Sequence, residues 1–252
     1  LPALYLSAAG QLAAGVLLAF QVNRTGAVTA AVSSLPFSIQ LSVDRAGLYF
    51  LAAYLVPLLL TLPNLHLLKK TGIRIAFLFY MTGCSAVIVS GDIFNFFVAY
   101  ELMIMSAYIL ISGKGKVFAS VKYMLVGAVS SLFFLAAIAA VLAAGRYLDF
   151  PGIEGYTGVA QTNLKIILVL FSSAFMIKSA LFPAGWVASC HAAADAPVSM
   201  FLSSFSLFCG IYGLYYLVLI PAQAAQVTQI FSILTIVSLA TIGSSAVFAF
   251  FE

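Results

Sequence analysis

Charged side chains are scarce in this 252-residue chain: they make up only 7% of it, whereas 64% of the residues are hydrophobic. A soluble domain needs a polar surface that so few charges cannot supply, and the mean hydropathy of +1.16 agrees. The alternation of polar and apolar residues expected of a membrane β-barrel is missing too. The composition therefore predicts an all-α polytopic membrane protein. Its net charge of +4 is confined to loops, which favours a role in membrane orientation and not in nucleic-acid binding.

Cysteine is also rare, and the chain lacks any pattern of metal ligands. Cys84, Cys190 and Cys209 show neither CxxC nor metal-site spacing and lie in apolar stretches, so they are interpreted as packing residues. No flavin, quinone, nickel or iron–sulfur signature is present, so no cofactor or metal is expected and any redox chemistry would belong to partner subunits. A cleavable signal peptide is not expected, because Leu1 opens directly into a hydrophobic run.

Long apolar runs dominate the sequence instead. They predict about eight transmembrane helices in a single transmembrane domain, 1–252. The predicted spans are roughly 1–21, 46–66, 73–90, 93–112, 118–145, 164–182, 197–220 and 226–250. The longer loops, near 22–45 and 146–163, carry few charges and are expected to lie against the membrane surface.

Basic residues in the loops orient these spans. The loops after the second and fourth spans carry six of them: Lys69, Lys70, Arg74, Lys114, Lys116 and Lys122. Acidic residues offset the basic ones in the opposite loops. The positive-inside rule therefore predicts that the loops after the second and fourth spans, and the N-terminus, are cytoplasmic.

Two charges fall inside membrane-length apolar runs, Glu101 in 93–112 and Lys178 in 164–182. An unpaired charge near the bilayer centre costs about 2.5–3.5 kcal/mol on insertion scales. Isolated charges of this kind often snorkel or pack between helices. A matched carboxylate and ammonium instead favour an ion or proton pathway in which each is the other's partner.

The segment after Lys178 predicts a broken helix. Pro183 cannot donate a backbone hydrogen bond, Gly185 follows it, and Asp195 and Pro197 resemble the start of a new helix. Irregular backbone at membrane depth is tolerated where it lines a cavity, although a simple proline kink remains the alternative. His191, close to the break, is either a packing residue or a proton relay.

Four segments resemble those of a known family and occur in the same order along the chain. They are 91–101 (GDIFNFFVAYE), 122–131 (KYMLVGAVSS), 178–183 (KSALFP) and 191–199 (HAAADAPVS). They are similar to the antiporter-like subunits shared by respiratory complex I, Mrp-type sodium/proton antiporters and membrane-bound group 4 hydrogenases. The Asp-Ile-Phe-Asn opening before Glu101 resembles the Mrp D-type and hydrogenase branch more than the complex I branch.

The resemblance implies a fold of about fourteen helices with two inverted repeats, each forming a half-channel around a broken helix. This chain would hold the first half, with 73–220 as the first half-channel repeat and the C-terminal half absent. It would then be a fragment, a naturally split subunit or a degenerate member. The resemblance also implies that Glu101 and Lys178 are the relay pair, supported by Lys122, in a multi-pass protein of a prokaryotic cell membrane.

One departure from the family concerns the predicted seventh span. Relatives carry Lys or His before a Gly-Ile-Tyr pattern, whereas Phe208 precedes Cys209 here. Phe208 is expected to act as a dry plug, an apolar side chain that blocks the direct route for protons from Lys178 to the rest of the path. His191 or water held by three serines would then bridge the gap: Ser203, Ser204 and Ser206.

Three functions remain open at the level of sequence. The first is a proton- or sodium-translocating subunit of a membrane redox or antiporter complex, with other membrane subunits, the lipid bilayer and H⁺ or Na⁺ as partners. The second is a non-conducting structural subunit of such a complex. The third is an unrelated carrier that uses Lys178 and the broken helix to bind an anionic solute.

Overall fold

The computed structural model describes residues 1–31, 39–113, 115–145, 148, 150, 160–181 and 185–251. Almost all of these residues are helical. The helices are α1 (Pro2–Thr25), α2 (Arg45–Thr61, extended by a 3₁₀ segment, Leu62–Leu67), α3 (Thr71–Val89), α4 (Ile93–Ser112), α5 (Val117–Ala143), α6 (Gln161–Lys178), α7 (Gly185–His191), α8 (Ala196–Ala224) and α9 (Gln229–Phe251).

Six of the described helices are long and apolar enough to cross a membrane: α1, α2 with its extension, α3, α4, α5 and α8. The all-α polytopic fold class is therefore confirmed, whereas the count of about eight spans is not. Helix α6 falls outside this set. Its 18 residues include a polar first turn, Gln161–Asn163, and two lysines, Lys165 and Lys178.

The loop between α1 and α2 contains a β-hairpin that was not predicted from the sequence. Strands β1 (Ala27–Ala31) and β2 (Gln40–Asp44) pair antiparallel, with Ala27 opposite Asp44. The hairpin is fixed to the start of α4 by Asp92, whose carboxylate accepts hydrogen bonds from the Gln40 amide at 3.0 Å and the Asn95 amide at 2.6 Å. Asp92 thus caps α4 and satisfies a strand edge with one side chain.

Small residues allow the helices to approach closely, as is common in membrane bundles. A Cβ at Gly83 of α3 would lie 2.8 Å from the Met103 nitrogen of α4, so these two backbones are almost in contact. Aromatic rings fill the space where α4, α5 and α6 meet. Phe134 lies 5.1 Å from Phe175 and 5.8 Å from Phe96, measured between ring centroids.

Helix α6 stops at Lys178 and does not continue through a kink. The Ala180 amide donates to the Ile177 carbonyl at 3.3 Å, and the Leu181 amide donates to the Met176 carbonyl at 2.9 Å. This pattern is a Schellman cap, with Ala180 in the left-handed region at φ 52°. Helix α7 then begins at Gly185. Pro183, assigned to the break by the sequence, lies outside the described residues.

Helix α8 departs from α-helical geometry at two π-helical segments, Leu202–Ser206 and Tyr215–Leu219. Between them, Gly210 faces the cap of α6: a Cβ at Gly210 would lie 2.8 Å from the Ser179 nitrogen. Single π-helical turns are frequent at functional sites because they shift the register of the side chains around them. Here they surround the contact between α8 and the end of α6.

Candidate functional site

Lys178 ends α6 inside the protein. Its side chain is 6% exposed, and its Nζ has no hydrogen-bond partner among the described residues. The Nζ lies 5.4 Å from the centroid of the Tyr100 ring, a cation–π distance. Glu101, the next residue on α4, is its electrostatic partner. The chain therefore holds a buried ammonium beside a carboxylate without a direct hydrogen bond to it.

Helix α5 connects the two charged residues. The Ser131 hydroxyl donates a short hydrogen bond to Glu101 Oε1 and also lies 3.1 Å from the Gly127 carbonyl. The neighbouring Ser130 hydroxyl donates to the Ala174 carbonyl of α6 at 2.8 Å. Consecutive serines thus hold α5 against the carboxylate on one side and the lysine-bearing helix on the other.

Gly127 provides the space in which Lys178 ends. A Cβ built there would lie 3.2 Å from Lys178 Nζ and 2.5 Å from the Tyr108 hydroxyl. The ammonium and the phenol therefore face the same point on α5. A larger residue at this position would displace both polar groups from it.

The histidine and the serines predicted to bridge the gap make separate contacts in the described structure and are not all joined to one another. His191, 6% exposed, pairs its Nδ1 with the Ser203 hydroxyl at 2.9 Å and leaves Nε2 without a partner among the described residues. Ser206 pairs with the Tyr123 hydroxyl at 3.1 Å. Ser204 donates to its own helix, at the Met200 carbonyl, 2.8 Å away. Within the part of the chain that the structure describes, no hydrogen bond joins His191 to Lys178.

Lys122, predicted to support the relay, lies against α7. Its Nζ donates to the Ser189 hydroxyl at 3.0 Å, and Cys190 donates to the Ala119 carbonyl at 3.3 Å. These contacts fasten the short helix after the break to the start of α5. No described contact brings Lys122 to Glu101 or Lys178.

Phe208 does not lie where a plug beside Lys178 would have to be. Its ring packs on Phe50 of α2 at 5.2 Å. Gly210, two residues later, faces α6, and two helical steps rotate a side chain by about 200°. Phe208 therefore points away from α6, which corrects the expectation of a plug on the direct route.

Several residues of the site were not predicted from the sequence: Tyr100, Tyr108, Tyr123, Gly127 and Ser131. Three of them, Tyr123, Gly127 and Ser131, follow a spacing of four residues and so share one face of α5. That spacing within the 122–131 segment could have assigned them to the site. The positions of Tyr100 and Tyr108 depend on helix packing and have no comparable signal.

Five buried polar atoms lack a hydrogen-bond partner among the described residues: Tyr80 Oη, Tyr100 Oη, Lys178 Nζ, Trp186 Nε1 and His191 Nε2, the last three in the elements on either side of the break. Buried polar groups are normally paired with protein or ordered water, so such a concentration suits a path that water can enter. The described residues hold no cluster of three or more His, Cys, Asp or Glu side chains that could bind a metal ion. The site's chemistry is that of a carboxylate, an ammonium and hydroxyls.

Comparison with known proteins gives a family and several relatives. Residues 90–250, which include all the candidate site residues, match the family described as NADH:quinone oxidoreductase/Mrp antiporter, transmembrane. NAD(P)H-quinone oxidoreductase chain 4-3 of a Nostoc species is 34% identical over 133 residues, covering 50% of this chain and 23% of the relative. A Na⁺/H⁺ antiporter subunit of Alkalihalophilus pseudofirmus is 28% identical over 142 residues, covering 54% of this chain and 29% of the relative.

Solved structures share the fold. The Mrp complex of a Dietzia species contains a chain that superposes with a TM-score of 0.72 at 23% identity, covering 86% of this chain and 43% of the other. An archaeal membrane-bound sulfane sulfur reductase gives a TM-score of 0.68 at 21% identity, covering 84% of this chain and 36% of the other. The chain thus spans less than half the length of these relatives and neighbours. With its family match over residues 90–250 and its helical membrane architecture, the protein belongs to the NADH:quinone oxidoreductase/Mrp antiporter transmembrane family.

Proposed function

We propose that this chain forms an ion-translocating half-channel of an antiporter-like subunit, working beside other membrane subunits of an Mrp-type or quinone-oxidoreductase-type complex. The observation that carries the proposal is the buried ammonium of Lys178, without a hydrogen-bond partner among the described residues, near Glu101. Ser131 donates to the carboxylate, and the absence of a side chain at Gly127 lets Lys178 approach α5. The names of the relatives, an antiporter subunit and a quinone oxidoreductase chain, support the same class of function.

The pair works by changing how well each charge is compensated. A nearby carboxylate favours the protonated lysine, and apolar surroundings disfavour it. When Glu101 is neutralised, or when the ammonium moves away from it, Lys178 gives up its proton more readily. Restoring the carboxylate lets the lysine bind a proton again.

A proton suits this site better than a sodium ion does. The amine of a lysine can bind and release H⁺, whereas its charged form repels a metal cation. Ser131 and Tyr108 can pass a proton through their hydroxyls but cannot store one. Beyond Lys178, the paired hydroxyls of Tyr123 and Ser206 offer a polar continuation towards α8.

A non-conducting structural subunit is the weaker alternative. Burying an ammonium without a hydrogen-bond partner is unfavourable, and a purely structural role would be met better by an apolar side chain. The presence of a carboxylate, an ammonium and a serine together in this site favours conduction.

The pair can be tested by replacing each charge in the complete complex reconstituted into proteoliposomes. Glu101→Gln and Lys178→Ala should each lower ion translocation at least tenfold, because either change removes one half of the relay. Lys165→Gln, at the start of α6, is the matched control and should keep normal transport. Assembly is checked by size-exclusion chromatography; assembled complexes with full transport in both variants would contradict the proposal and favour the structural role.

A further inference from the structure

A groove lies at the end of the bundle predicted to face the cytoplasm, between the first turn of α5 and the short helix α7. Residues 115–119 line it together with Lys122 and Ser189, and its volume is about 550 Å³. None of the relay residues Glu101, Lys178 or His191 lines it. The groove is thus separate from the relay.

The described residues that line the groove carry positive charge and no negative charge. Lys116 is exposed and Lys122 is half-buried, and the hydrogen-bond partner of Lys122, Ser189, is neutral. No carboxylate lies among the lining residues. Lys70 adds to the positive field, because its Nζ donates to the Gly113 carbonyl at 3.0 Å, in the loop that leads to α5.

An apolar rim borders these charges. Phe118 is 83% exposed and Val117 is 62% exposed. Val121 and Leu125 continue the exposed surface down α5, at 39% and 58%. Residues three and four apart share one face of a helix, so this stripe runs from the groove towards the bilayer centre. An apolar stripe below a basic groove matches a molecule with an anionic head and an acyl chain, and not a free anion.

We propose that this groove binds the phosphate head group of an anionic lipid of the cytoplasmic leaflet, with an acyl chain along Phe118, Val121 and Leu125. Basic residues next to that leaflet attract anionic lipid head groups. Through Lys122 and Ser189 the bound lipid also holds α7 against α5. It therefore steadies the helix that carries His191.

The proposal can be tested with photoactivatable lipids in nanodiscs that contain the complete complex. Phosphatidylglycerol and phosphatidylcholine with identical photoreactive acyl chains are compared, and crosslinked peptides are mapped by mass spectrometry. Phosphatidylglycerol should label the 115–125 segment preferentially. Lys116→Gln should lower that labelling about fivefold, since each lysine near an anionic surface contributes about that factor. Lys165→Gln, at the opposite end of the bundle, should leave it unchanged.

Three results would overturn the proposal. Equal labelling by the two lipids would show that charge does not select the ligand. Unchanged labelling in Lys116→Gln would show that the groove's lysines do not hold the head group. Loss of labelling on addition of inorganic phosphate would identify a site for a free anion. Lys116 is exposed and makes no described side-chain hydrogen bond, so its substitution leaves the fold intact for the comparison.

Discussion

The missing side chain of Gly127 sets how close Lys178 comes to α5. The Tyr108 hydroxyl and Lys178 Nζ would lie 2.5 Å and 3.2 Å from a Cβ at this position. Ser131, one turn further along α5, bonds to Glu101. At the scale of single residues, one face of α5 thus contacts both members of the proposed relay pair.

Gly127→Ala should therefore impair transport more than it impairs assembly. The added methyl group would displace the Tyr108 hydroxyl and press on Lys178 Nζ. Both atoms are the ends of flexible side chains, so they can move with little loss of stability but lose their positions in the site. We expect translocation in proteoliposomes to fall at least fivefold. Gly10→Ala in α1 is the matched control, because a Cβ there meets nothing within 4 Å. Equal transport by the two variants would show that the close approach of Lys178 and Tyr108 to Gly127 is unimportant for transport.

A charge in an apolar run can be recognised from the sequence, whereas the direction of a side chain that depends on helix packing cannot. Glu101 and Lys178 are recognisable because a charged side chain in an apolar run is energetically costly and therefore rare. The direction of Phe208, in contrast, depends on how α8 is rotated, and that rotation follows from π-helical geometry that no residue pattern announces. Ser203, Ser204 and Ser206 diverge for the same reason.

At the scale of elements, helix ends position the site more than helix lengths do. The predicted span 93–112 coincides with α4, and its start is set by the Asp92 cap. The predicted span 164–182 ends four residues too late, since the Schellman cap closes α6 at Lys178. The hairpin of β1 and β2 was missed although Gln40–Asp44 alternates polar and apolar residues, because its partner Ala27–Ala31 consists mostly of alanine and shows no alternation.

The cap of α6 gives a prediction about stability. Ala180 adopts φ 52°, which costs a non-glycine residue about 1–2 kcal/mol. Ala180→Gly relieves that strain and loses about 0.5–1 kcal/mol through the more flexible unfolded chain. We expect a net gain of up to about 1 kcal/mol, seen as a higher midpoint of thermal unfolding in detergent.

The control for this cap is Ala136→Gly, within α5 and exposed. A glycine in a helix interior should lower stability by about 1 kcal/mol. A lower unfolding midpoint for Ala180→Gly, of similar size to that of the control, would show that Ala180 is not strained.

At the scale of the whole molecule, contacts at the two ends of the bundle agree with successive helices that cross the membrane in opposite directions. Lys70 reaches the Gly113 carbonyl at one end, and Leu41 of the hairpin pairs with Ser90 at the other. The start of α3 therefore lies beside the end of α4, and the hairpin lies beside the end of α3. Charge counting assigns the first of these ends to the cytoplasm.

Cysteine accessibility should reproduce this orientation. Cys84, Cys190 and Cys209 are fully buried, so the wild-type protein should react little with a membrane-impermeant thiol reagent. Lys69→Cys should react in inside-out vesicles, and Lys165→Cys should react in right-side-out vesicles. Labelling of both variants in the same vesicle type would contradict the predicted topology.

Helix α6 also bears on how the chain enters the membrane during synthesis. Its polar first turn and its two lysines leave it outside the set of described helices that are apolar enough to cross a bilayer by themselves. Helices α1 to α5 leave the ribosome earlier, so α4 and α5 can already be in the bilayer when α6 reaches the translocon. Glu101 and the serines of α5 then provide a polar surface for an ammonium that lipid would reject. We therefore expect Glu101 also to serve biogenesis, as the docking partner that allows a weakly hydrophobic segment to leave the translocon and stay in the bilayer.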